Sequence, residues 1–430
     1  MSRTPRIVVT GTGAICAAGR TPGEILDAVH AGRSAIAPIR QWDVSGWPTR
    51  AAGEIADFNA SALIPDRKLH KLIRRTDLLG LYAASRAIED SGLVAHRDTL
   101  DEERAAVCND RTGVYAGAGG GSYQNQYDFF PLLTAAQGDL GVFGRELDGT
   151  VNPMWLLRSL PNNVLCHIGI RYGLKGANAC VTNHALSGIL AVVEAVEALR
   201  GNEADRAVAV GHDAPIEPQM VLYYARTGLF AVDSLRPFDA GRTGSLFGEG
   251  AGALIVETEA AAAERRTPVL GEILGSGVAA ESAGLFAIRD DGEGIGRAIT
   301  LALDDAGVSA AEVGMIVAHG NGTLKSDASE AAAIRRVFGA TPPPITAFKW
   351  AFGHLIAASG AIEAVLTLAA LRNGVVPGVA NLQRLDPEFG ELPISARPQQ
   401  PRSDVGLVLS RGFGGTNAAL LVRAARGKTD

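Results

Sequence analysis

Two spacings of apolar residues alternate along this chain. Short β-branched and apolar runs at 6–10 and 113–116 predict buried strands. Between such runs, apolar residues recur three and four positions apart, as on the buried face of a helix. Thr21, Pro22 and Glu24 mark one helix start, with Thr21 as cap and Glu24 closing a capping box. Ile25, Leu26 and Val29 supply its apolar face, and Ile189, Val193, Val196 and Leu199 give the same stripe over 189–199. Strand-like runs follow at 206–210 and 250–257. The second half repeats this grammar. An extended segment over 270–278 precedes a helical stripe of Ile295, Ile299 and Leu303 that ends near Gly307. Residues 313–318 and 405–410 read as strands, and 361–371 as a buried helix. This alternation predicts an α/β protein whose helices cover buried sheets. The division falls near 257–266, giving halves 1–257 and 258–430. Residues 397–401, with two prolines, read as a stiff exposed connection, and 425–430 as a frayed end.

Composition narrows the function classes. Of the 430 residues, 47% are apolar and 20% charged, as in soluble globular proteins. A net charge of -6 gives no support for nonspecific nucleic-acid binding. No apolar run reaches the length of a membrane span, and the start lacks the core of a signal peptide, so a cytoplasmic protein without a membrane partner is expected. Cys16, Cys108, Cys166 and Cys180 form neither a disulfide framework nor a metal-ligand pattern, and read as buried small residues. The glycine run 117–121 lacks the lysine and hydroxyl of a phosphate loop and reads as tight packing.

Several motifs carry more specific information. Residues 6–13 run from a strand into Gly11-Thr12-Gly13. Leu160-Pro161-Asn162-Asn163 precedes the loop Gly176-Ala177-Asn178-Ala179-Cys180-Val181-Thr182-Asn183-His184-Ala185-Leu186-Ser187-Gly188. Ser234-Leu235-Arg236-Pro237-Phe238-Asp239 is followed by Arg242-Thr243-Gly244 and Gly248-Glu249-Gly250-Ala251-Gly252. His319-Gly320-Asn321-Gly322-Thr323 is followed by Asp327 and Glu330, then by Lys349-Trp350-Ala351-Phe352-Gly353-His354 and Gly412-Phe413-Gly414-Gly415-Thr416-Asn417. In this order, the set resembles an elongating β-ketoacyl-ACP synthase of the type II kind across nearly the whole chain. Asn321 departs from the family's usual threonine.

The resemblance implies a thiolase-like fold: two related halves in a five-layer α/β/α/β/α core, usually dimeric. It also implies a cavity in which two histidines, here His319 and His354, promote decarboxylation of a malonyl thioester and stabilise the enolate. Lys349 and an acidic residue support such a site. Lys349 also reads as a salt-linked structural support, and Asp327 and Glu330 as helix caps or local pairing residues. Phe413 reads as a gate or lining of the acyl cavity, or as ordinary core. Aligned on Gly176 and Gly188, the family's acyl-accepting cysteine falls on Ala185, whose methyl group forms no thioester. His184 reads as a packed or capping side chain, or as a hydrogen-bonding partner for an acyl or carrier-derived group. Cys180 and Ser187 are poorly placed to replace the thiol. Residues 171–175 form a small basic–aromatic cluster, suited to surface structure or to a carrier-domain contact.

Three functional readings follow. The leading one is a subunit resembling a chain-length factor, which lacks the cysteine and pairs with a catalytic ketosynthase subunit. Its further partners are acyl carrier protein and acyl and malonyl thioesters. The second is a malonyl-ACP decarboxylase using His319 and His354. The third is a β-ketoacyl-ACP synthase whose cysteine has been replaced by Ala185. None of these calls for a metal or a permanently bound cofactor.

Overall fold

The computed structural model describes residues 5–120, 127, 129–390 and 392–425. Gly121 of the glycine run and 426–430 of the expected frayed end lie outside the described residues. Ten strands form one hydrogen-bonded sheet. The first five are β1 (Ile7–Cys16), β2 (Thr112–Ala118), β3 (Asn178–Val181), β4 (Arg206–Asp213) and β5 (Gly250–Thr258). The second five are β6 (Gly271–Ala280), β7 (Met315–Val317), β8 (Ile345–Thr346), β9 (Val405–Gly412) and β10 (Thr416–Ala424).

Their spatial order is β8-β7-β9-β10-β6-β1-β5-β4-β2-β3. Counted inward from each edge, the two halves match: 3-2-4-5-1 in the first and 8-7-9-10-6 in the second. The directions match too, with two parallel pairings followed by two antiparallel ones in each half. The halves join where Ile7, Val8 and Val9 of β1 pair with Ile273, Glu272 and Gly271 of β6.

Helices complete the layers. Helix α1 is Pro22–His30 and α2 is Arg75–Ser91. The next two are α3 (Ser187–Arg200) and α4 (Pro218–Arg226). In the second half come α5 (Glu293–Ala306), α6 (Leu324–Phe338), α7 (Lys349–Phe352) and α8 (Ser359–Arg372). Helix α2 covers β1, β4 and β5, and α5 covers β6 and β10, one outer layer each. Between the half-sheets, α3 packs on β2 and β4, α8 packs on β5 and β9, and the two helices touch each other. The result is the five-layer α/β/α/β/α arrangement of a thiolase-like fold.

The sequence patterns map closely onto these elements, with local differences. Thr21 caps α1 by accepting from Glu24 N–H at 3.2 Å. The Glu24 carboxylate, however, accepts from Arg20 N–H at 2.7 Å, one residue before the cap, so the reciprocal box does not close on Thr21. In α3, Ile189, Val196 and Leu199 are buried but Val193 is only half-buried. The helix is covered on two sides, so Ala191, Val192 and Ala195 fill the core beside the predicted stripe. Cys16 and Cys108 are buried, whereas Cys166 and Cys180 are half-buried. Gly117 explains the glycine run: a Cβ there would stand 2.2 Å from Ser187 O, so only hydrogen allows β2 to pass so close to α3.

Candidate functional site

Two equivalent turns bring the site together. After β3 the chain makes a 3₁₀ turn, His184–Leu186, and enters α3. After α7 it makes a second 3₁₀ turn, Ile356–Ala358, and enters α8. The first residues of both turns, His184 (φ 47°) and Ile356 (φ 43°), hold left-handed backbone. A side chain pays a steric penalty there, so the packing around each turn enforces it. Ser187 ties down the first turn: its hydroxyl donates to His184 O and accepts from Asn183 N–H, both at 2.8 Å. Ala185 is left 1% exposed, with its methyl group on the wall of a cavity of about 430 Å³.

His319 and His354 line the same cavity, with ring centroids 5.1 Å apart and planes 81° to each other. His319 follows β7. The Glu330 carboxylate on α6 accepts from His319 N–H at 2.6 Å and from Gly320 N–H at 3.0 Å. Asp327 accepts from Gly322 N–H at 3.2 Å and Phe238 N–H at 2.8 Å. Both carboxylates therefore brace the histidine loop; Thr323 is the residue at the N-cap of α6, with no side-chain cap bond. Burial is the main force raising both carboxyls, Asp327 to about 7.

Backbone donors assign both imidazole tautomers. His319 Nδ1 accepts from Arg411 N–H at 3.4 Å. His354 Nδ1 accepts from Ile356 N–H at 3.2 Å, with the Ser359 hydroxyl at 3.0 Å. A neutral ring that accepts at Nδ1 carries its proton on Nε2. Both rings are kept neutral, because burial, then the positive charge of Lys349, holds each pKa well below its ordinary value. The site thus offers two Nε2–H donors of fixed tautomer, suited to a developing oxyanion.

Lys349 stands behind the cavity wall. Its ammonium donates to His319 O at 2.7 Å and to Glu363 of α8 at 2.6 Å, and the two side chains are 1% and 0% exposed. Burial nevertheless raises Glu363 to about 7, against the pull of Lys349. Lys349 is thus salt-linked to Glu363 and bonded to the backbone of His319. His184 lies inside the cavity: it stacks on Phe413 at 4.8 Å and shares a hydrogen bond with Tyr224. Burial lowers its pKa to about 4, so this ring too is neutral. Phe413 lines the cavity and meets Phe286 edge-on at 4.9 Å near the exposed Leu285 and Phe286. Tyr224, Phe230 and Phe247 continue this aromatic wall.

The structure therefore gathers His184, Ala185, His319, His354 and Phe413 around one cavity, with Lys349 and Glu330 in support. Cys180 lies apart, its sulfur 3.5 Å from Pro161 O. The cluster 171–175 also lies apart, with Arg171 over the Tyr172 ring. Sequence reasoning missed Glu363, Tyr224 and the Arg411–Glu281 ion pair in the cavity wall. The available signal was a single charge inside an otherwise apolar run, as at Glu363 within α8 and Arg411 at the end of β9. Among the described residues no helix is long and apolar enough to cross a membrane, and no cluster of three His, Cys, Asp or Glu is placed to hold a metal.

Comparison with known proteins gives a consistent result. Residues 4–262 match the beta-ketoacyl synthase N-terminal domain and 270–383 the C-terminal domain. A 3-oxoacyl-[acyl-carrier-protein] synthase 2 from Synechocystis is 32% identical, over 96% of this chain and 97% of the relative. Among solved structures, the ishigamide ketosynthase/chain length factor aligns with a TM-score of 0.86 at 29% identity, covering 98% of this chain and 100% of the other. A type II polyketide acyl carrier protein in complex with its hexaketide-bound ketosynthase aligns at 0.83 and 25% identity, with the same coverage.

Proposed function

The chain belongs to the β-ketoacyl synthase family, and on that premise we propose that it is a ketosynthase-like subunit of type II fatty-acid or polyketide synthesis, resembling a chain-length factor. In this reading a cysteine-bearing ketosynthase forms the carbon–carbon bond, and this chain pairs with it and bounds the space for the growing acyl group. The observation that carries the reading is Ala185. The loop, the turn and the helix that present an acyl-accepting residue are all built, yet the side chain they present is a methyl group. The likeness to the ishigamide ketosynthase/chain length factor supports it.

Co-expression with a cysteine-bearing ketosynthase of the same genome tests the proposal. The expected result is a one-to-one complex by native mass spectrometry, with product length that shortens when this chain's cavity is narrowed by Thr227→Trp. A chain that assembles only with itself and leaves product length unchanged would overturn it.

One observation favours a second reading. Both His319 and His354 offer Nε2–H into the cavity, a pair that a purely architectural subunit does not use. Those donors suit malonyl-ACP decarboxylation: the C–C bond to the carboxylate breaks, carbon dioxide leaves, and the electron pair passes into a thioester enolate held by both imidazoles. Water then supplies the proton to carbon. Carbon dioxide release by the purified chain, lost in His319→Ala and His354→Ala, is the expected outcome of this reading. No release from folded protein would sink it.

A further inference from the structure

The cavity wall contains one charged pair, and its bonding bears on what the cavity holds. Most of the lining is apolar or aromatic, yet Arg411 also lines it, the only cationic residue, histidines aside, among its described lining residues; Glu281 reaches the wall through its backbone, with its side chain behind Arg411. Glu281 is well satisfied: beside Arg411, it accepts from Asn417 Nδ2 at 3.2 Å and Arg289 N–H at 2.9 Å. Its side chain is fully buried. Arg411 is less so. A guanidinium carries five N–H donors. Among the described residues, protein acceptors engage two: Glu281, and Ser326 O at 3.2 Å. Its side chain is 6% exposed. An alkyl guest in this cavity strips water from the remaining donors and returns no acceptor, whereas a carbonyl or hydroxyl oxygen replaces that water.

We propose that Arg411, held in place by Glu281, selects acyl groups bearing an oxygen along the chain, such as 3-oxoacyl or polyketide thioesters, over plain alkyl ones. The proposal rests on the reading of this cavity as an acyl site. It gives Arg411 two tasks, because its backbone N–H also fixes the tautomer of His319. The residue that meets the guest's oxygen is thus the one that orients a donor ring.

Isothermal titration of the full chain with octanoyl-pantetheine and 3-oxo-octanoyl-pantetheine tests it. The 3-oxo probe is expected to bind about ten- to a hundredfold more tightly, the cost of leaving a buried charged donor unpaired. The Arg411→Met/Glu281→Gln double variant removes both charges together and so avoids stranding a buried carboxylate. In it the preference should collapse through loss of 3-oxo affinity, with folding checked by near-ultraviolet circular dichroism. If the double variant does not fold, Arg411→Lys keeps the charge without the fork, and the preference should still shrink. Equal affinities in the parent, or a preference untouched by the folded variants, would overturn the role of Arg411. Failure of both probes to bind would instead overturn the acyl-site reading on which it rests.

Discussion

Three neutral imidazoles share a cavity with the Ala185 methyl group, and each is neutral mainly because it is buried. For His184 this has a consequence with a definite sign. Its folded pKa of about 4 lies below the ordinary 6.5, so as pH falls the unfolded chain takes up the proton first. The stability tied to this ring is complete above pH 6.5 and is lost as pH drops towards 4. Denaturant midpoints of His184→Gln should therefore fall less steeply across that window than those of the parent. Equal slopes would mean that the ring is not buried as described. The Lys349–Glu363 pair makes a sharper prediction, since both groups are almost wholly inaccessible. Lys349→Met strands a carboxylate and should cost about 3 kcal/mol or more, whereas Lys349→Met/Glu363→Leu should recover most of that loss in equilibrium unfolding. The histidines and Lys349 were legible because they sit in short motifs of fixed spacing. The Arg411–Glu281 pair was not: Arg411 stands out as a single charge ending an apolar run, but 130 residues separate it from Glu281.

Elements with one buried face were legible from spacing alone: α5, with Ile295 and Ile299 fully buried, matches its predicted stripe and ends at Gly307. The 3₁₀ turns ahead of α3 and α8 were not. Their left-handed residues are a histidine, which visits this region more readily than most side chains, and a β-branched isoleucine, which does so only when the surrounding structure holds it there. The approach of Gly117 to Ser187 ties the His184–Leu186 turn to a strand residue that is not among the cavity's lining residues. Gly117→Ala places a methyl group 2.2 Å from Ser187 O and 2.5 Å from Gly188 N, so β2 or the loop must move. The expected cost is about 1–3 kcal/mol. Gly144 offers the opposite case within the exposed helix Leu140–Thr150, where an added Cβ meets nothing within 4 Å. Gly144→Ala should therefore stabilise the protein by about 0.5–1 kcal/mol. Thermal unfolding of the two variants side by side separates the loss at a close contact from the gain in a helix.

At the scale of the whole molecule, the two halves repeat one strand order, yet neither encloses a site. His184 and Ala185 come from the first half, His319 and His354 from the second, and all four line one cavity. The packing points the same way. Helix α8 belongs to the second half but lies on β5 of the first, so separating the halves would expose apolar surface of Ala361, Ile362 and Val365 on one side and of β5 on the other. The sheet join adds only the short pairing of β1 with β6. We therefore propose that the two repeats of the strand order form one cooperative unit. A protease site inserted after the exposed Pro268 allows a direct test. The nicked chain should stay associated in gel filtration and unfold in a single transition whose calorimetric and van't Hoff enthalpies agree. The halves expressed apart should fail to give native near-ultraviolet circular dichroism. Two separate transitions, or a half that folds alone, would mean that the central helices are a docking interface between independent domains. The site would then be assembled by docking after folding; a single transition means that folding itself brings Ala185 and the two histidines together.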